Sequence, residues 1–334
     1  MAMAESRIDA VALAAELIRC QSVTPVDDGA LDVLRTALEP LGFICTEMTF
    51  GKGEDAVQNL FARIGDKPPH FCFAGHTDVV PVGDTAAWTV DPFGGEVRDG
   101  YLWGRGTTDM KGAIACFAAA ADEVLQEFGG VVPGSISFLI TGDEEGPGIN
   151  GTKKVLEWMA GNGHTPDAAL VGEPTNPATM GEMMKIGRRG SMVGRLTVHG
   201  TQGHAAYPAL ADNPVPRLVT MLAALTKAKL DSGTDVFQPS NLEITTIDVG
   251  NPAVNVIPAQ ARAIFNIRFN DQHTSGSLSD WLRATFDEIG GQYDLDIHVS
   301  GEAFVSPTGP FPDLVSDSIQ QVLGAAPERS TGGG

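Results

Sequence analysis

Four places in the sequence put a histidine or carboxylates where an apolar run gives way to glycine or polar residues. The first is Gly75-His76-Thr77-Asp78, behind the apolar stretch Phe71-Cys72-Phe73-Ala74. A neutral imidazole at His76 can ligate a metal, and Asp78 can hold its other ring nitrogen. Alone, the pair reads equally as a surface or core histidine beside an acid. The second place is Gly104-Arg105-Gly106-Thr107-Thr108-Asp109-Met110-Lys111-Gly112, at the entry to an alanine-rich apolar stretch. Asp109 can bridge two cations or cap a helix. It also occupies the third glycine position of G-x-G-x-x-G, so the stretch is not a dinucleotide fingerprint. The third, Thr141-Gly142-Asp143-Glu144-Glu145-Gly146, is either a solvated loop or a site where one carboxylate binds metal and its neighbour moves protons. The fourth, Val171-Gly172-Glu173-Pro174-Thr175, offers Glu173 as a ligand or a loop acid. Strand ends of one sheet converge in space, so His76, Asp109, Glu145 and Glu173 are expected in one site. Imidazole plus carboxylate without thiolate suits catalytic zinc, cobalt or manganese rather than a structural cysteine site.

The elements that must position these residues alternate. Helices are expected over residues 7–19, 29–41, 110–128 and 152–159, and strands over 43–50, 59–64, 70–74, 135–141 and 168–171. This pattern predicts an α/β fold with a mixed, mostly parallel sheet flanked by helices. The pattern changes after about residue 183. Strands over 190–200, 241–249 and 261–269, separated by helices over 214–228 and 277–289, predict a separate α+β unit. A strand over 295–299 is expected to begin a return to the first domain. The expected organisation is a catalytic domain, 1–182 plus 296–334, interrupted by a dimerisation or lid domain, 183–295. A helix over 313–324 leads into the tail Ser330-Thr331-Gly332-Gly333-Gly334, read as a loop before a further strand. On that reading the chain stops in mid-fold.

Composition excludes several classes. Lys plus Arg is 22 against 42 Asp plus Glu, a formal charge of −20, which repels phosphate backbones and anionic lipid. Nucleic acid and membrane surfaces are therefore poor partners. No stretch approaches the roughly 18 consecutive apolar residues of a membrane span. The N-terminus, with Glu5, Arg7 and Asp9, lacks a signal peptide's pattern and reads as an amphipathic helix with Val11, Ala14, Leu17 and Ile18 on one face. Cys20, Cys45, Cys72 and Cys116 form no C-x-x-C pair and read as buried reduced thiols of a cytoplasmic protein.

These four motifs resemble those of the M20 metallopeptidase family of two-metal amidohydrolases. The resemblance extends over the whole chain. It includes Gly187-Arg188-Arg189-Gly190-Ser191, Gln202-Gly203-His204-Ala205-Ala206-Tyr207-Pro208, Asn255-Val256-Ile257-Pro258 and Phe265-Asn266-Ile267-Arg268-Phe269. It implies two divalent ions per subunit, Zn2+ or Co2+. His76 and Glu173 would hold one, Asp109 would bridge, and Glu145 would hold the second. Glu144 would be the general base and Asp78 would orient His76. The family's second metal also takes a histidine beyond a Gly-Gly-Thr-Ser-Asp loop. His199, His273 and His298 lie in no such motif, so the second site is expected to be incomplete.

The resemblance further implies a homodimer through the inserted domain, with His204 delivered to the partner subunit as the oxyanion donor. The motif around Arg188 and Arg189 points to removal of succinate from N-succinyl-LL-2,6-diaminopimelate. Lys185, Arg188, Arg189 and Arg268 are candidates to hold its carboxylates, with Ser191, Tyr207 and Asn255 as polar contacts. Singly, each arginine also reads as a solubilising surface residue. Two alternatives stand beside this reading: another N-acyl-amino-acid deacylase, for instance one acting on acetylornithine, and a non-catalytic dimerising module lacking the last ligand.

Overall fold

The computed structural model describes residues 8–333. Arg7, the expected start of the first helix, and Gly334, the end of the expected tail loop, lie outside the described residues. The chain forms two compact units, one running to Pro174 and the other starting at Thr175.

The first unit contains α1 (Ala10–Arg19), α2 (Ala30–Leu38), β1 (Ile44–Phe50), β2 (Val57–Ile64) and β3 (His70–His76). There follow a hairpin of β4 (Glu96–Arg98) and β5 (Tyr101–Trp103), then α3 (Gly112–Glu127), β6 (Ser135–Thr141), α4 (Thr152–Gly161) and β7 (Ala168–Val171). Five strands form a sheet in the order β1-β2-β6-β3-β7. β1, β2 and β6 are successively antiparallel, whereas β3 runs parallel to both β6 and β7. The mixed sheet flanked by helices agrees with expectation, although within this sheet parallel pairing is confined to β6-β3-β7, so it is half rather than mostly parallel.

Burial explains why these sequences settle here. Leu13 and Leu17 of α1, Leu31, Leu34 and Leu38 of α2, and Ile114, Ala118 and Leu125 of α3 form one core with Phe73 and Phe138. Each fully buried large side chain contributes about 1.5–3 kcal/mol. Val155 and Met159 of α4 join Phe61, Cys72 and Leu139 in a second cluster. Helix ends match their residues. Asp9 caps α1 by accepting from the N–H groups of Val11 and Ala12, an interaction worth about 1 kcal/mol. After α3, Gly129 and Gly130 take positive φ, and the Gly130 N–H closes on the Leu125 carbonyl at 2.7 Å. Val11, expected on the buried face of α1, is exposed, and Leu13 is buried instead. All four cysteines are free, and Cys116 is exposed rather than buried.

The second unit contains β8 (Met183–Arg188), β9 (Gly190–His199), β10 (Gly203–His204), α5 (Pro214–Lys227), β11 (Asn241–Asp248), β12 (Val256–Ile257) and β13 (Gln260–Phe269). It continues with α6 (Ser275–Ile289), β14 (Tyr293–Gly301), β15 (Phe304–Val305), α7 (Pro310–Leu323) and β16 (Glu328–Gly332). The strands β11-β13-β9-β14 make an antiparallel sheet. Alternate residues of β13, from Ala261 to Phe269, are buried. They meet Leu218 and Leu222 of α5 and Leu278, Leu282 and Phe286 of α6. This is the period of a strand with one covered face.

Two expectations fail here. The strand read as the start of a return to the first domain is β14, whose Tyr293–Gly301 segment pairs with β9 in the antiparallel sheet. Its Leu295 and Ile297 pack on the α5–α6 core, which holds it there. The tail read as a loop is β16, running parallel to β8, with β15 on the other side of β8. Among the described residues, no helix is long and apolar enough to cross a membrane.

Candidate metal centre

β3 delivers His76 at its last residue, with the ring 1% exposed. The Nδ1 N–H donates to the Asp78 main-chain carbonyl at 2.8 Å. That leaves Nε2 facing carboxylates: Asp109 Oδ1 at 3.0 Å, Glu173 Oε1 at 3.2 Å and Glu144 Oε2 at 3.9 Å. Asp109 sits in an irregular turn, Thr107–Lys111, directly before α3. It does not cap that helix, so its carboxylate is free for the site. Glu173 follows β7, and Glu144 and Glu145 follow β6. The sites expected at four separate loops thus meet at the carboxyl ends of neighbouring strands.

Donor atoms of His76, Glu144 and Glu173 lie within 4.8 Å of one another, and so do those of His76, Asp109 and Glu145. One imidazole surrounded by four carboxylates is a donor set for divalent cations such as zinc or cobalt. The residues therefore fit the metals that the sequence implies. Glu144 stands among the donors, although it is expected beside the metal as a base.

Electrostatics tell the same story. Burial would lower the His76 pKa. Hydrogen bonds to Glu173 and the Asp78 carbonyl, with the negative field of Asp78 and Glu173, outweigh it and raise the pKa to about 9. The hydrogen bond from His76 holds Glu173 below the usual carboxylate range. Burial and the adjacent Glu173 push Asp109 up. Burial raises Glu144 and Glu145 as well, and their acidic neighbours add to it. Negative charge is concentrated here, with one imidazole among four carboxylates.

The Asp78 side chain does something other than expected. Its carboxylate lies 3.5 Å from Nδ1, and the short contact to His76 comes from the Asp78 carbonyl. The carboxylate instead accepts the N–H groups of Glu144 at 3.2 Å and Glu145 at 3.0 Å. Three further residues, given no role from the sequence, shape the loops. Buried Asp143 accepts from the N–H groups of Gly148, Ile149 and Asn150. Ser22 Oγ donates to the Thr77 carbonyl at 2.7 Å, and the Val79 N–H donates to the Ser22 carbonyl at 2.9 Å. Lys111 is fully buried, with Nζ donating to the Cys20 carbonyl at 2.8 Å. Its desolvation lowers its pKa to about 8 against the pull of Cys20, Asp27, Asp28 and Asp78. The sequence signals were slight: a polar loop after α1 and a lysine beside a candidate ligand.

The remaining expected residues lie in the second unit and form two groups. Arg188 and Lys185 are exposed on β8, and Lys185 Nζ lies 2.9 Å from Met183 Sδ. Arg189 donates to the Pro239 carbonyl and to Asn241 Oδ1. Arg268 of β13 donates to Ser191 Oγ of β9 at 2.5 Å, from the directly paired position. Desolvation and the neighbouring Arg268 lower the Arg189 pKa, so these two cations share one neighbourhood. The second group is the loop of His204. Its Nδ1 accepts from the Ala206 N–H at 3.0 Å, and its ring packs tilted against exposed Tyr207 at 5.7 Å. The Asn255 carbonyl accepts from the Ala205 N–H at 2.9 Å.

Comparison with known proteins agrees with this fold. The sequence pattern of peptidase family M20/M25/M40 matches residues 72–334. Succinyl-diaminopimelate desuccinylase of Rhodospirillum centenum is 58% identical over 327 residues, covering 98% of this chain and 84% of that protein. The protein of the same name from Parvibaculum lavamentivorans is 56% identical, with the same coverage of each chain. Among solved structures, aminopeptidase PepT from Bacillus cereus superposes with a TM-score of 0.72 at 18% identity, covering 97% of this chain and 84% of that one. Bacillus subtilis YxeP, described as a dinuclear metal binding peptidase of family M20, gives 0.69 at 16% identity, covering 97% and 82%. At these identities the two structures speak for the fold alone. The chain belongs to peptidase family M20/M25/M40.

Proposed function

We propose that this chain is a metal-dependent amide hydrolase that removes succinate from N-succinyl-LL-2,6-diaminopimelate. The products are succinate and LL-2,6-diaminopimelate, used in diaminopimelate and lysine biosynthesis. The observation carrying this reading is the convergence of His76 with Asp109, Glu144, Glu145 and Glu173, in a chain more than half identical to desuccinylases along nearly its whole length.

His76 and Glu173 would hold one ion, Asp109 would bridge, and Glu145 would hold the other. Bound divalent ions acidify water and polarise the amide carbonyl. Glu144 would take the water's proton and pass it to the leaving amine, a role that general-base carboxylates fill. Its half-exposed side chain, 3.9 Å from His76, places a base beside the donors and open to solvent. Burial raises its pKa, which makes it a better proton acceptor once ionised. Asp78 would hold the base and the second ligand in place through their N–H groups. Among the described residues the second ion has Glu145 as its own donor and must share Asp109, so it would bind more weakly than the first.

The substrate carries several carboxylates. Arg189, Arg268 and Ser191, already gathered on β9, β13 and the β8–β9 junction, would bind one of them, with Lys185, Arg188, Tyr207 and Asn255 as further contacts. His204 would donate to the oxyanion. Its Nδ1 is occupied by the Ala206 N–H, which supports an Nε2–H available as donor. A homodimer through the second unit would deliver it. Zn2+ or Co2+ would occupy the centre. The test is hydrolysis of N-succinyl-LL-2,6-diaminopimelate and N-acetylornithine by the metal-loaded protein. Succinate release should be much faster. Preferential turnover of acetylornithine would contradict this substrate.

A further inference from the structure

Three of the proposed ligand residues lie one position from a contact with the same side chain, that of Met110. Asp109 is followed by Met110, His76 is preceded by Gly75, and Glu173 is preceded by Gly172. Met110 is fully buried in the core that contains Phe73 and Ile114. A Cβ placed on Gly75 would stand 2.4 Å from the Met110 methyl and 3.1 Å from its sulfur. One placed on Gly172 would stand 2.7 Å from the same methyl and 2.5 Å from the Phe73 ring. The two glycines are side by side on the sheet, because the Gly172 N–H donates to the Ala74 carbonyl at 3.2 Å. The Met110 methyl therefore lies directly on a two-glycine floor at the ends of β3 and β7, one residue from each of their ligands.

We infer that Met110 is a positioning residue for the metal centre: its side chain, seated on Gly75 and Gly172, sets the depth at which Asp109 meets His76 and Glu173. The physical basis is close packing. Asp109 and Met110 lie in an irregular turn with non-helical backbone, so the helix ladder does not fix them. A buried side chain in van der Waals contact on several sides transmits displacement to its own backbone, since packed interiors have few voids to absorb it. Glycine at positions 75 and 172 is required for the close approach. An alanine at 75 would displace the Met110 methyl, the flexible end of that side chain, and it is the full burial of Met110 that would pass the displacement on toward Asp109. Lys111 anchors the other end of the same turn through the Cys20 carbonyl.

This inference rests on the metal-centre reading, and its test separates the two. Co2+ affinity is measured by titration, followed by the visible absorption of the bound ion, on the wild type and on Met110→Ala, Ile114→Ala and Gly75→Ala. Thermal unfolding is recorded for each. Co2+ binding by the wild type tests the centre itself. Ile114 is equally buried in the same core, so Ile114→Ala should lower Tm comparably yet leave Co2+ affinity within about twofold. Met110→Ala should weaken Co2+ binding by about 10- to 100-fold, the range seen when groups behind metal ligands are removed. Equal losses for Met110→Ala and Ile114→Ala, or wild-type affinity in Met110→Ala, would overturn the inference. If Met110→Ala does not fold, Gly75→Ala gives the same reading: weakened Co2+ binding supports it and wild-type affinity overturns it. Where all variants fold, the double variant Gly75→Ala/Met110→Ala should lose less than the product of the single losses, because the two positions touch. A loss equal to or above that product would contradict the contact.

Discussion

The Asp78 carboxylate accepts the backbone N–H of Glu145 at 3.0 Å. Through this bond, and its companion to Glu144 at 3.2 Å, the loop after β3 fixes the loop after β6. His76 and the two glutamates are thus held by one buried residue, His76 through its carbonyl and the glutamates through its carboxylate. Asp78→Ala would leave two N–H groups unpaired, at about 1–3 kcal/mol each if they stay buried. The expected outcome is a clear fall in urea midpoint and a loss of metal affinity of about 10- to 100-fold. Unchanged Co2+ affinity would show that the two loops hold their positions without it.

Glu144→Gln separates base from ligand. Side-chain volume is kept and the proton acceptor is lost. Turnover should fall by about 10²- to 10⁴-fold, the usual contribution of a general base. Metal content, measured by elemental analysis, should match the wild type. Loss of a metal ion along with activity would place Glu144 in the coordination sphere, where its grouping with His76 and Glu173 also allows it to sit.

The pH dependence follows from His76. In the metal-free protein its pKa is about 9, above the unfolded value near 6.5. The native state holds this proton more tightly, so its stabilisation is fully present below about pH 6.5 and fades as pH rises through 9. Lys111 acts in the opposite sense. Its folded pKa of about 8 lies below the unfolded value, so stability gains from pH 8 upward. The His76 decline is therefore cleanest between about pH 6.5 and 8, where it amounts to about 2 kcal/mol. Metal must displace the same proton, so Co2+ affinity should rise with pH over this window. A flat stability profile together with pH-independent metal binding would contradict the raised pKa.

Arg268 tests substrate capture. Arg268→Met removes a charged donor paired with Ser191. It should lower kcat/KM for the succinylated substrate by about 10- to 100-fold, the scale of one charge-assisted hydrogen bond. Metal content should be unchanged. Wild-type kinetics would remove Arg268 from the substrate site.

Much of this was legible in the sequence because the signals were local. The runs before His76, Glu145 and Glu173 read as strands from their apolar composition, the first of them as a buried one, and parallel neighbours bring their ends together. Other features were not legible because they depend on partners far along the chain. Nothing local says that Asp78 uses its carbonyl for His76 and its carboxylate for Glu144 and Glu145. Ser22 and Lys111 act through Thr77 and Cys20, and neither pairing leaves a periodicity. The pairing of β14 with β9 is hidden for a similar reason. Its alternating apolar residues fit any half-buried strand, and only the core of α5 and α6 decides where it pairs. β16 gives no local strand signal because Ser330-Thr331-Gly332 lacks the apolar content of a central strand.

On the proposed mechanism, His76, Asp109, Glu145 and Glu173 grip a pair of divalent ions. Anomalous diffraction at the cobalt edge, from crystals grown with Co2+, tests it most directly. A strong peak is expected between His76, Asp109 and Glu173, with a weaker second peak against Glu145 and Asp109. Cobalt bound elsewhere, or no peak within coordination distance of His76, would contradict it.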